Sequence, residues 1–200
     1  MNKLLARITA LVLAATAGAA FAQQDPAALA QGVCSACHGP DGHSISPVFP
    51  NLAGQQPAYI TLQLFAFRDH RRGDPNAQAY MWGMASQLSD DTIKALATYY
   101  AAQKPAPGQP GASALMAAGE KIYTQGVPAQ GVPACATCHG AQGLGDKAFP
   151  RLAGQHVDYL VAQLEGFKSG TRSNAPIMLA VARTLTPEQM RAVATYASSR

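Results

Sequence analysis

Apolar residues return at helical spacing in two separate stretches of this 200-residue chain. Over 57–68, Ile60, Leu64 and Phe67 fall on one stripe of a 3.6-residue period, and over 157–168 Val157, Leu160, Leu164 and Phe167 draw that stripe again. The segment Ala27 to His38 is rich in Ala, the strongest helix former. Ser89-Asp90-Asp91 and Thr186-Pro187-Glu188 are helix-start signals, a hydroxyl followed by acidic residues, the second with Pro at the first helical position. No run of alternating β-branched residues reads as a half-buried strand. The pattern predicts an all-α fold.

The repetition extends beyond the stripes. Phe49-Pro50-Asn51-Leu52-Ala53-Gly54-Gln55 returns as Phe149-Pro150-Arg151-Leu152-Ala153-Gly154-Gln155. Tyr59, Gln63, Leu64 and Phe67 return as Tyr159, Gln163, Leu164 and Phe167, and Ala97-Thr98-Tyr99 as Ala194-Thr195-Tyr196. Between the copies, the Pro- and Gly-rich run Lys104 to Gly111 has the composition of a linker. One small domain has been duplicated in tandem, with predicted units at 23–106 and 107–200 behind a leader at 1–22. Each unit is close to the size at which an apolar core alone stabilises a fold only slightly.

Within each unit stands one further motif, Cys34-Ser35-Ala36-Cys37-His38 and Cys135-Ala136-Thr137-Cys138-His139, which uses all four cysteines. C-x-x-C-H is the attachment pattern of a c-type haem. On a helix, residues i, i+3 and i+4 share a face. Two thiols can then add to the two vinyl groups of one porphyrin while the imidazole meets the iron. The chain is thus expected to hold two covalently bound haem c groups, through Cys34 and Cys37 with His38, and through Cys135 and Cys138 with His139. Other uses of the cysteines fit less well. A zinc site would need further ligands, yet the remaining histidines, His43, His70 and His156, do not occupy matching places in the two copies. A thioredoxin-like pair lacks a surrounding βαβ pattern, and two disulfides would leave the motif histidines unexplained.

The second axial ligand separates an electron carrier from a catalyst, since Met closes the iron and raises its potential whereas an open position admits small molecules. Aligned on Leu88-Ser89 and Leu185-Thr186, Met81 coincides with Met178, in the loop before the last helix of each copy. Met84 then faces Val181, and Met190 faces Ile93. Met81 and Met178 are the expected distal ligands, with Met84 the competitor in the first copy. A ligating His usually donates its second ring N–H to an acceptor, and Pro50 and Pro150 follow His38 and His139 by twelve and eleven residues.

Lys3 and Arg7, the mostly apolar Ile8 to Ala17 and Ala20-Phe21-Ala22 before Gln23 form a secretory leader. The apolar part is short for a membrane span, and an uncleaved anchor is the alternative. The expected location is the bacterial periplasm, where haem is attached to such motifs. After cleavage thirteen Lys and Arg face eleven Asp and Glu, and the basic excess lies in the second copy. Without a basic run or basic-aromatic interleaving, nucleic-acid binding has no support.

CSACHG and CATCHG, each followed by FPxLAGQ, a tyrosine, QLxxF, a methionine and LS or LT, resemble the cytochrome c4 family over essentially the whole mature chain. The resemblance implies two class I cytochrome c domains with haems near the domain interface, and His/Met ligation by His38 with Met81 and His139 with Met178. It implies that the Pro50 and Pro150 carbonyls accept from the ligand histidines, and that a Gly before the motif packs on an aromatic of the last helix. That pairing is clear for Gly119 with Tyr196 only. Arg68 and Arg172 are candidates to pair with haem propionates. The implied function is outer-sphere electron transfer between respiratory redox proteins, with a quinol-oxidising complex upstream and a terminal oxidase downstream. Two alternatives remain: an electron-transfer subunit of a periplasmic dehydrogenase such as a sulfide-oxidising flavoprotein, and a haem enzyme with one open iron.

Overall fold

The computed structural model describes residues 25–200, so the leader at 1–22 lies outside the described residues. The Ala-rich stretch is helical. Helix α1 (Pro26–Leu29) starts on Asp25, whose carboxylate accepts the Ala27 N–H at 3.1 Å. It continues through a π-helical turn, Ala30–Cys34, into α2 (Ser35–His38). The apolar stripe forms α3 (Pro57–Arg68), a second π-helical turn at Ala77–Met81 runs into α4 (Trp82–Ala85), and α5 (Asp90–Ala101) closes the unit. The second copy contains α6 (Ser113–Gln125), α7 (Ala136–His139), α8 (Val157–Ser169), α9 (Pro176–Ala182) and α10 (Pro187–Ser198). Both helix-start signals act as caps: the Ser89 hydroxyl accepts the Thr92 N–H, and Thr186 and Gln189 form a reciprocal capping box. Among the described residues no strand forms, only isolated bridges pairing Val127 with Val132 and Asp146 with Phe149.

In the second copy α10 crosses α6 at Gly119. A Cβ there would run into the Ala192 carbonyl and stand 2.7 Å from Tyr196 Cβ, so the two helices meet backbone to backbone, as the Gly119–Tyr196 pairing predicts. The first copy has no room for a long lead helix. Its crossing uses Ala30, 2% exposed against Leu96, Ala97 and Tyr100, while Gly32 faces open space. The linker is laid down rather than free: a Cβ on Gly154, whose φ is +71°, would meet the Ala106 carbonyl, and one on Gly54 would strike Pro105.

Each copy divides its apolar interior into two clusters. In the first, Ile60, Leu96 and Tyr100 form one and Phe67, Ala77 and Ala85 the other, with Leu64 and Leu88 touching both. In the second, Tyr123, Leu160 and Tyr196 stand apart from Phe167, Leu185 and Met190, with Val127 and Leu164 between them. The division marks where an internal slot cuts each core.

Because the α6–α10 crossing tolerates no side chain, Gly119→Ala is expected to lower unfolding stability by about 1–3 kcal/mol through overpacking, whereas Gly32→Ala costs nothing. Urea unfolding of the two purified variants checks this contrast.

Candidate functional site

A cavity of about 540 Å³ runs through the slots of both copies. Cys34, Cys37, His38 and Met81 line it in the first half, and Cys135, Cys138, His139 and Met178 in the second. The remaining wall is mostly aliphatic and aromatic, including Leu64, Phe67, Leu88, Leu164, Phe167 and Val181. Each C-x-x-C-H is carried by a short helix that puts its two thiols and imidazole on the cavity side, the shared face anticipated from spacing. None of the four cysteines is paired in a disulfide. Among the described residues no three His, Cys, Asp or Glu side chains converge as a metal site. The other histidines are engaged elsewhere: the His43 and His156 rings bond the Lys104 and Ser44 carbonyls, and His70 stacks on Trp82.

Both motif histidines are held in one orientation. His38 Nδ1 lies 2.9 Å from the Pro50 carbonyl and His139 Nδ1 lies 3.0 Å from that of Pro150. A carbonyl only accepts, so Nδ1 carries the proton and Nε2 presents a lone pair. Phe49 and Phe149 meet these rings edge-on at 6.2 and 6.3 Å. Burial pulls both imidazoles below the ordinary histidine pKa, outweighing the opposing bond to the proline carbonyl, which favours the neutral, ligating form. Burial likewise raises the Cys34 thiol and pushes Cys135 up to about 11.

The methionines differ from the sequence expectation in one respect. They sit in helical turns, not a loop: Met81 ends the π-helical turn and Met178 lies in α9. Pro176 starts α9 cleanly, whereas the first copy reaches the same place through a wider turn. Met81 packs against the Phe67–Ala77–Ala85 cluster and Met178 against that of Phe167 and Leu185. Met84 also borders the cavity but is 58% exposed.

The cavity suits a large, flat apolar group with a polar edge. Its wall is mostly apolar, its donor set is soft sulfur and imidazole, and three buried polar atoms of its lining residues lack partners among the described residues, the Tyr100 hydroxyl, Arg172 Nε and Asn174 Oδ1. Arg68, by contrast, is turned away: it forms ion pairs with Asp90 and Asp69 at the surface and is not part of the cavity wall.

The repeated polar residues meet at the seam between the halves. Gln155 Oε1 accepts the Asn51 N–H and its amide donates to the Asn51 carbonyl, both at 2.9 Å. Gln55 does the same to Arg151, at 2.7 and 2.9 Å. Gln56 reaches the Leu144 carbonyl as His156 reaches that of Ser44. The halves are therefore related by a local two-fold. Deeper in, Arg72 and Arg172 share bonds with Gln63, Gln163, Tyr59 and Tyr159. Sequence reasoning gave none of these residues an interface role. The available signal was a constant 100-residue offset from Phe49/Phe149 through Arg72/Arg172 that preserved Gln and Tyr at positions a lone domain would have no reason to keep.

The cytochrome c family model matches residues 23–103 and again 116–199. The chain is 44% identical to cytochrome c4 of Thiocapsa roseopersicina, over 84% of this chain and 88% of that protein. It is 39% identical to the thiosulfate dehydrogenase electron acceptor of Thiomonas intermedia, over 100% of this chain and 92% of that one. Among solved structures, cytochrome c4 of Acidithiobacillus ferrooxidans superposes with a TM-score of 0.79 at 43% identity, covering 84% of this chain and 98% of the other.

With each core parted by its slot, the polypeptide made without haem is expected to be largely unfolded, as metal-dependent small domains are. Far-ultraviolet circular dichroism of the apoprotein checks this, and a near-native helical spectrum would contradict it.

Proposed function

This chain belongs to the cytochrome c4 family, and from that premise we propose how its own residues hold and insulate two redox centres. It is a two-haem electron-transfer cytochrome whose partners are redox proteins. The haem c groups, covalently bound, supply the one-electron ferric–ferrous couple. We assign one to each of the units 23–106 and 107–200. Cys34 and Cys37 fix the first by thioether bonds, and Cys135 and Cys138 the second. His38 and His139 offer Nε2 to the irons, held in that tautomer by the Pro50 and Pro150 carbonyls. Met81 and Met178 would supply the second ligand of each iron. The observation that carries this reading is the twofold recurrence of two thiols, a neutral imidazole and a packed methionine around one apolar cavity.

Bound by a histidine and a methionine, each iron would offer no position to a substrate, and the chain's contribution is to keep its ligands in place so that little rearranges as charge moves. Packing around Met81 and Met178 resists their release, and the apolar wall excludes water, which disfavours the more charged ferric state. The leader at 1–22 supports a periplasmic location. Among the described residues no helix is long and apolar enough to cross a membrane. For partners we infer a quinol-oxidising complex upstream and a terminal oxidase downstream. A second reading, electron acceptor for a periplasmic dehydrogenase, is favoured by the likeness to the thiosulfate dehydrogenase electron acceptor over the full chain. Reduction of the purified protein by such a dehydrogenase, faster than by a quinol-oxidising complex, would select it.

Acid extraction is expected to leave two haems fixed per polypeptide; pigment that comes away, or fewer than two, would refute the assignment. Met81→Ala and Met178→Ala are each expected to remove the sulfur-to-ferric-iron absorption of one haem of two, and Met84→Ala to retain both. Loss of that band in Met84→Ala instead would move the ligand in the first unit.

A further inference from the structure

Arg72 and Arg172 are 4% and 3% exposed, and their surroundings nearly repeat. Arg72 donates to Gln63 at 2.9 Å, Gln163 at 2.7 Å and Tyr159 at 3.2 Å, and lies 4.7 Å over the Phe67 ring. Arg172 donates to Gln163 at 2.6 Å, Gln63 at 3.1 Å and Tyr59 at 2.9 Å, and lies 4.4 Å over Phe167. The repeat breaks at one position. Arg72 Nε forms a buried ion pair with Asp74 at 2.8 Å. The equivalent residue in the second copy is Asn174, which spends its amide group on Gln63 and brings no charge. Arg172 Nε is left without a partner among the described residues, as is Asn174 Oδ1.

The seam thus buries two guanidiniums against one carboxylate, and a buried cation without an anion is strongly disfavoured. Arg172 and Asn174 both line the cavity, so an anionic group held there can supply the missing partner. Arg172 stacks on Phe167, which walls the second slot, and the chain passes directly from it through Asn174 into α9 and Met178. Haem c brings carboxylates at one edge.

Resting on the two-haem reading above, we infer that Arg172 is the seat of a propionate of the second haem, with Nε as its donor. The first copy neutralises its seam arginine with a protein carboxylate, Asp74, and the second does so with the cofactor. The guanidinium acts as a positioning residue, and its charge beside the second haem favours the ferrous form, so its loss should lower that haem's potential alone.

The test uses the holoprotein, with covalent haem counted first. The two centres are told apart by the loss of sulfur-to-iron absorption in Met81→Ala and Met178→Ala. In R172Q the midpoint potential of the second haem is expected to fall while the first stays, and one propionate carboxylate band should shift in the ferric-minus-ferrous infrared spectrum. R172K, which keeps the charge, should recover most of the potential. Should R172Q not assemble, N174D carries the test: it supplies internally the carboxylate that Asp74 supplies to Arg72, displacing the propionate and shifting the same band. Unchanged propionate bands in both variants, or an equal shift of both potentials, would overturn the inference. Fewer than two fixed haems in the unaltered protein would instead overturn the reading it rests on.

Discussion

In each half two apolar clusters meet only through partly buried residues, Leu64 and Leu88 in the first and Val127 and Leu164 in the second. Everything else in the molecule follows from that divided interior. A domain this small buries a limited fraction of its surface, and here the helices spend part of it lining a slot rather than packing on one another. A flat apolar group fixed in that slot would join the two clusters of each half. The tight contacts lie where helices must touch directly, at Gly119 against Ala192 and Tyr196, and at Ala30 against Leu96 and Ala97.

The second constraint is the polar seam. Gln55, Gln155, Gln163, Arg72 and Arg172 are all buried, and each obtains much of its hydrogen bonding from the opposite half. A buried amide or guanidinium without partners costs far more than a bonded one gains, so separating the halves or sliding them past one another leaves many groups unsatisfied. Such a network specifies one arrangement more than it adds net stability. For a carrier with two redox centres, a fixed arrangement of the halves means a fixed separation of the centres. The departure from symmetry at Asp74 and Asn174 gives the two centres different electrostatic surroundings inside an otherwise repeated frame.

Local signals were legible in the sequence wherever the physics is local. The 3.6-residue stripes at 57–68 and 157–168 became α3 and α8, and the Ser89 and Thr186 caps began α5 and α10, because hydroxyl-to-N–H bonds within three residues depend on nothing distant. The C-x-x-C-H spacing placed thiols and imidazole on one face for the same reason. The partnering of His38 with Pro50 and His139 with Pro150 was also anticipated. The helical setting of Met81 was not, because a π-helical turn leaves no clear mark in composition, nor was that of Met178, whose helix α9 is too short to show a period. Arg68 and Arg172 were indistinguishable as letters; one turned to Asp90 at the surface and the other into the cavity.

The all-α class, the duplication, the two sets of thiols and imidazoles, and the correspondence of Met81 with Met178 are all written in spacing and recurrence along the chain. That the repeated Gln and Tyr residues face the other half, and that Arg172 is buried with Nε unpartnered among the described residues, emerges only from the packing of the two domains. Those facts depend on which surfaces two packed domains bring together. Recurrence at a hundred-residue offset marks these residues as kept without saying what they touch, and the cost or gain of their contacts exists only once water has been excluded between them.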